Sequence, residues 1–226
     1  MTNFKITKYG KDLDRSKYTW NEEIKTLSTN EDNLTLDFSW INWVTFKTGC
    51  GCTFNTGSDC TFNTNSSCTF NTSYNCTFKT GSYCTFKTGS DCTFDTDSDC
   101  TFNTNSDCTF NTGYSCTFDT NSNCTFNTDF SCTFDTGYNC TFNTNFDCTF
   151  NTGYSCTFDT NSNCVVIRRD VYEVIELQEW KKIRLNWDCI KWFTYVAEKP
   201  EKTIMIWGYT YNKKEFEKAV KDLKTI

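Results

Sequence analysis

Cysteine recurs every eight residues from Cys52 to Cys156 without a slip, and a Phe follows each of these fourteen cysteines by two. Thr is invariant at the second and fifth places of the resulting unit, Cys-Thr-Phe-x-Thr-x-x-x, as in Thr53 and Thr56. The sixth place holds only Gly, Asn, Asp or Ser, for example Gly57, Asn65, Ser73 and Asp97. Those residues tolerate a left-handed backbone or close a local side-chain turn. Each unit therefore reads as a strand of about four or five residues followed by a tight corner. Alternation along a strand puts the first, third and fifth places on one face, so Cys and Phe point inward with the fifth-place Thr. Cys52, Cys60 and Cys100 with Phe54, Phe62 and Phe102 represent this core ladder. One unit cannot bury its own Phe, but stacked units about 4.8 Å apart build a continuous core. The sequence thus predicts an all-β solenoid of parallel stacked strands.

Two units, 16 residues, make the preferred coil, with Phe facing Phe across a flattened two-sheet core; a three-unit coil would be a triangular prism. The seventh place favours two. Tyr114, Phe130 and Phe146 lie 16 apart and would stack along one edge, as would Tyr138 and Tyr154 along the other. Fourteen units then form seven coils, about 34 Å of rod.

Composition divides the chain into an N-terminal cap (1–43), a repeat rod (44–177) and a C-terminal cap (178–226). All seven Trp and the single Pro200 lie outside the perfect units. Residues 52–163 contain 11 Asp, no Glu and only Lys79 and Lys87, a net −9 in a chain whose total is −6. The pattern reaches past the perfect copies. Val44, Phe46 and Thr48 fill the Cys, Phe and fifth-place slots of a preceding unit, and Leu36 with Phe38 the first two of another. Downstream, Cys164 with Val166 and Tyr172 with Val174 take the same places. A solenoid has two open ends of unpaired backbone that would template polymerisation, and the Trp-bearing flanks are the natural covers. In the last of them, residues 203–207 read as a strand. Asn212 with Glu215 starts a helix over 213–224 whose apolar stripe is Phe216, Ala219, Val220 and Leu223.

The Cys-Thr-Phe-x-Thr core resembles the five-residue unit of pentapeptide-repeat proteins, with three turn residues added. The wider layout, a short N-terminal cap, CTF octads and then CVVIRRDVYEVIEL, resembles octapeptide-repeat β-solenoid proteins of bacteriophage and environmental sequences. That resemblance implies the solenoid fold and no activity.

The chemistry-bearing residues are few. The Cys spacing lacks the C-x2-C pairs of zinc and iron–sulfur sites, so the ladder reads as a small buried hydrophobe beside Phe. Cys50 and Cys189 stand outside it. There is no His, no phosphate loop and no nucleotide fingerprint, which argues against an enzyme and against a cofactor. Arg168, Arg169, Asp170 and Glu173 read as an exposed charged rim. Outward Thr rows suggest ice binding, yet the fourth place is Asn in eight copies, Asp in four (95, 119, 135, 159) and Lys in two. An acidic rod suggests DNA mimicry, but nine charges over about 34 Å are sparse beside one per 1.7 Å of duplex. No basic stretch marks a nucleic-acid partner and no apolar run spans a membrane. The start, MTNFKITKYGKDLD, lacks the apolar run of an export signal. The expectation is therefore reduced thiols in a cytoplasm, a virion or a host cell. The functional reading is a non-enzymatic structural or interaction protein, a rigid acidic rod that meets itself or a protein partner through Tyr114, Phe130, Phe146, Tyr138 and Tyr154.

Overall fold

A computed structural model of the 226-residue chain describes residues 4–168, 173–177, 181–186, 193–196, 203–206 and 209–212. The chain divides into two units, Met1–Thr194 and Tyr195–Ile226.

In the first unit, successive octads alternate between two sheets. Strands such as Thr53–Thr56, Thr69–Asn71 and Thr85–Lys87 form sheet 1, and Thr61–Thr64, Thr77–Thr80 and Thr93–Thr96 form sheet 2. The octad strands pair in parallel with the octad strands 16 residues away, in register: Phe86 pairs with Phe102 in sheet 1 and Phe78 with Phe94 in sheet 2. Each sheet holds nine such parallel strands, about 40 Å of rod. The 16-residue coil follows from this pairing, and the prism is excluded.

The core is two columns of phenylalanine. Phe102 stacks on Phe86 and Phe118 at 4.8 Å with ring planes within 3°. Across the core it meets Phe94 and Phe110 edge-on, at 5.2 Å and 76–77°. Stacked contacts within a column and edge-to-face contacts between columns are both favoured by the ring quadrupole. One residue type can therefore fill the whole interior.

The repeat is overtaken by irregular sequence at each end. Val44, Phe46 and Thr48 occupy the expected slots, since Phe46 pairs with Phe62 and Thr48 with Thr64. One coil earlier the register differs from expectation. Leu36 pairs with Phe54 and Phe38 with Thr56, so Leu34, Leu36 and Phe38 hold the Cys, Phe and Thr slots. The cause is a corner two residues longer, Ser39 to Trp43, which breaks the count of eight. Asp37 Oδ1 closes it by accepting from Ser39 Oγ at 2.6 Å, and Ile41 N–H donates to the Phe38 carbonyl. Parallel strands reach back as far as Thr26–Ser28, inside the segment expected to be cap. Downstream, Val166 takes the Phe slot over Phe150 as expected. Val174 does not continue the ladder. Its strand, Glu173–Glu176, turns back antiparallel on Val165–Arg168, which leaves Val174 exposed and faces Ile175 and Leu177 inward. Tyr172 lies outside the described residues.

Antiparallel strands close the ladders at both ends. Lys5–Lys8 covers Leu34–Phe38 and Thr19–Asn21 covers Thr26–Ser28. At the far end Glu173–Glu176 covers sheet 1, and Ile183–Leu185 covers Thr157–Asp159 of sheet 2. Phe4 and Trp20 plug the N-terminal core, Phe4 stacking on Phe38 at 4.5 Å. Glu31 ties this cap together, accepting from Lys8 Nζ at 2.7 Å and from Lys17 Nζ at 3.3 Å. These contacts lower the Glu31 carboxyl and raise the Lys8 ammonium. In the second unit, Thr203–Ile206 and Tyr209–Asn212 form an antiparallel hairpin, which includes the expected strand. Asn212, the expected cap, ends the second strand of this hairpin, while the expected helix over 213–224 with Glu215 lies outside the described residues, as do Cys189, Arg169 and Asp170.

Candidate functional site

The corners carry what varies between coils, and the backbone explains which residues each place accepts. The left-handed residue is the eighth of each unit, not the sixth: Asp59, Asn75, Asp91, Asn123 and Asn163 all have φ near +60°. Asp and Asn are the non-glycine residues that tolerate it best. The sixth place selects small or short polar residues for want of room. A Cβ on Gly89 would lie 3.0 Å from the backbone of Ser73 and Tyr74 in the coil below.

On the inner side of most corners the invariant Cys and fifth-place Thr also bond the backbone. Thr56 Oγ1 donates to the Gly57 carbonyl at 3.4 Å, and the Cys76 thiol, one coil on, lies 3.8 Å from the same oxygen. Cys76 Sγ also sits 3.5 Å from the Tyr74 carbonyl. The thiol is thus a small apolar filler that also offers a weak S–H to corner carbonyls in a dry interior. Cys52, Cys60 and Cys100 are fully buried and unbridged, whereas Cys50 is exposed. Cys124 is pushed up to about 11: the thiol of Cys108 lowers it, but Cys140 and burial raise it by more. Cys140 is pushed up to about 12 in the same way, lowered by Cys124 and raised by Cys156 and burial. These thiols stay protonated, so they are poor nucleophiles.

The outer side of the corners holds the aromatic edges. Tyr114 stacks on Phe130 at 5.0 Å and 5°, and Phe130 on Phe146 at 5.1 Å and 4°. On the opposite edge Tyr138 stacks on Tyr154 at 5.3 Å and 6°. Both expected strips are present. Tyr114, Phe146, Tyr138 and Tyr154 remain 41–48% exposed, with Phe130 half-buried between its neighbours. Corner backbone fixes the spacing, because the Ser115 N–H donates to the Phe130 carbonyl and the Ser131 N–H to the Phe146 carbonyl, both at 3.1 Å. Apart from Tyr74, the seventh place is elsewhere Ser, whose hydroxyl can join the ladder instead: Ser122 Oγ accepts from the Tyr138 N–H at 3.2 Å. The two strips differ in surroundings. Asp129 and Asp147 flank the first, while Gly137, Asn139, Gly153 and Ser155 flank the second.

Exposed aromatics also stand outside the two expected strips, Trp40, Trp43, Tyr74 and Tyr83 among them. Trp40 is 95% exposed, in the lengthened corner, and Trp43 is 63% exposed with Lys25 Nζ 5.1 Å above its ring. Tyr74 and Tyr83 also protrude. Tyr74 holds a seventh place, so the rule that found the other five also finds it. Tyr83 stands at an eighth place with φ +60°, where a bulky residue is unexpected. Arg168 corrects the charged-rim reading. It occupies the fifth-place slot above Thr152 and is fully buried. Both broad faces carry charge as anticipated: Lys87, Asp119 and Asp135 on sheet 1, Lys79, Asp95 and Asp159 on sheet 2. No helix among the described residues is long and apolar enough to cross a membrane.

No protein-family model, curated protein or solved structure matches the chain, so its description rests on its own residues: a tandem-repeat β-solenoid with a buried cysteine ladder and aromatic corners.

Proposed function

We propose that the protein is a non-enzymatic docking rod, a stiff acidic spacer that meets a protein partner through its aromatic corners. The observation that carries this reading is the Tyr114–Phe130–Phe146 strip, three in-register rings at corners that elsewhere hold Ser. The core is already filled by the Phe columns, so these rings are not needed for folding. Parallel stacking turns the ring faces toward one another and leaves ring edges outward. A partner therefore meets a narrow apolar ridge rather than separate stacking platforms, and the flanking Asp129 and Asp147 favour a groove with a basic rim. Self-association through the ridge is the simplest case. Phe130→Ser with Phe146→Ser restores the residue found at other corners. It should lower the mass measured by sedimentation, or abolish partner capture, with the circular dichroism unchanged. An unchanged mass and unchanged capture would remove the ridge from the account.

A second reading, ice binding, is favoured by one stretch of sheet 2. Thr109, Thr125 and Thr141 stand in register beside Asn111, Asn127 and Asn143, giving three uncharged coils in succession. This reading requires thermal hysteresis and faceted crystals in dilute protein. Freezing indistinguishable from that of a control protein eliminates it.

A further inference from the structure

The two broad faces handle their charges differently. On sheet 2, Lys79 stands beside Asp95 on the next strand, and Asp159 is ion-paired with Lys182 at 2.9 Å. The Asp159 charge is thus answered within the chain, and Lys79 has an acid on the strand beside it. On sheet 1 the fourth-place column runs Asn71, Lys87, Asn103, Asp119, Asp135 on successive strands. Lys87 has only asparagines beside it in the column, while Asp119 and Asp135 are placed side by side. Like charges on neighbouring strands are unfavourable.

This order is complementary to its own reverse. A two-fold axis through Asn103 lays Lys87 against Asp119 of a second copy and Asp119 against its Lys87, with Asn103 meeting Asn103, Asn71 meeting Asp135 and Asn55 meeting Asn151. The parallel alternative opposes Lys87 to Lys87 and Asp119 to Asp119, so charge selects the antiparallel arrangement. The rest of the face suits such a contact. Outside the fourth-place column it is a row of second-place Thr (Thr69, Thr85, Thr101, Thr117, Thr133), short side chains that let two sheets approach. Nine strands about 4.8 Å apart and about 13 Å long present roughly 500 Å² per copy, so a pair buries about 1,000 Å², the lower bound for a specific interface.

We infer that sheet 1 is a self-pairing face, on which a second copy of the chain docks antiparallel with reciprocal Lys87–Asp119 ion pairs about the Asn103 axis. The inference is independent of the aromatic ridge. Paired this way, both copies keep their aromatic corners open along the seams. The ion pairs sit on a polar face and are screened by salt, so the dimer weakens as ionic strength rises.

Sedimentation equilibrium of the full chain at low and high salt tests this, with charge reversal and rescue. The wild type should dimerise, and K87D, which opposes Asp119 with a second acid, should weaken the dimer by about tenfold or more. The double variant K87D/D119K recreates the pairs with their signs exchanged and should restore the affinity. Carbodiimide should join Lys87 to Asp119 in a species of twice the chain mass. A wild type that stays monomeric, a K87D dimer as tight as the parent, or a double variant that fails to recover overturns the inference. Loss of the dimer in Phe130→Ser/Phe146→Ser but not in K87D assigns association to the ridge instead, and also overturns it. Both residues point to solvent on strands that pair through backbone, so folding is checked by circular dichroism and is expected to hold.

Discussion

The interior coils and the two ends of the rod are built on opposite rules. Inside, every strand lies parallel to an identical strand, Phe on Phe and Thr on Thr, so each coil is a template for the next. At the ends the outermost partners of that ladder run antiparallel and their inward residues are mixed: Ile6 and Phe4 at the start, Ile175 and Ile183 at the finish. A perfect repeat carries no instruction to stop. The instruction lies in sequence that no longer matches it, and reversing the strand direction removes the parallel edge that another coil would need.

The largest effect should come from erasing that difference. Removing residues 1–33 bares the parallel strands Leu34–Phe38 and Thr45–Thr48 together, and the rods should then join at this one bare end. Removing the C-terminal covering strands as well should give long unbranched fibres by electron microscopy. Particles of unchanged length from both truncations would show that the antiparallel strands are not what ends the rod.

Within the core the comparison is graded. Phe102 touches four rings and Phe158 only two, Phe142 and Phe150. Phe102→Ala should cost about 3–5 kcal/mol in chemical unfolding, and Phe158→Ala distinctly less, because aliphatic Ile183 lies beside it and can close the space. Equal losses would contradict a core held by ring columns.

Cys124 and Cys140 predict a pH response in the alkaline range. Cys124 and Cys140 are raised to about 11 and about 12, above the roughly 8.5 of an unfolded thiol. A group raised on folding gives its full contribution below the unfolded pKa and loses it as pH climbs toward the folded one. The contribution of these two thiols should therefore decline from about pH 8.5 upward, so the stability difference between wild type and Cys124→Ala should change in that range. In thiol labelling at neutral pH, Cys50 should react at once while Cys124 waits for unfolding.

The smallest effect concerns Tyr83, whose φ of +60° is taken by Asn or Asp at most other units. Tyr83→Asn should raise stability by about 0.5–1 kcal/mol. A loss instead would mean that the exposed ring contributes to folding.

How much of this was legible in sequence follows from the same contrast. The coil, the inward Cys and Phe, and both aromatic strips are consequences of period alone, and the period survives any local noise. Leu36 and Phe38 were misplaced by one slot because Ser39 and Trp40 lengthen a single corner without leaving a cysteine to reveal it. Val174 was misread because alternation marks a strand but not its direction. Arg168 reads as surface because charge predicts exposure, and nothing in the sequence marks the fifth-place slot above Thr152 as the one it fills. The left-handed place was assigned to the sixth residue because the sixth and eighth draw on nearly the same small polar residues.

The most direct test of the whole account uses the absence of His from the chain. Asn127 and Asn143 are exposed neighbours, hydrogen-bonded at 3.2 Å, on adjacent strands of sheet 2. Asn127 and Asn151 are 24 residues apart and lie on different sheets. Thermal unfolding with and without Zn²⁺ or Ni²⁺ should show N127H/N143H stabilised by the metal and N127H/N151H unaffected. Stabilisation of the 24-residue pair alone would mean three units per coil and would contradict the two-sheet rod on which every other inference stands.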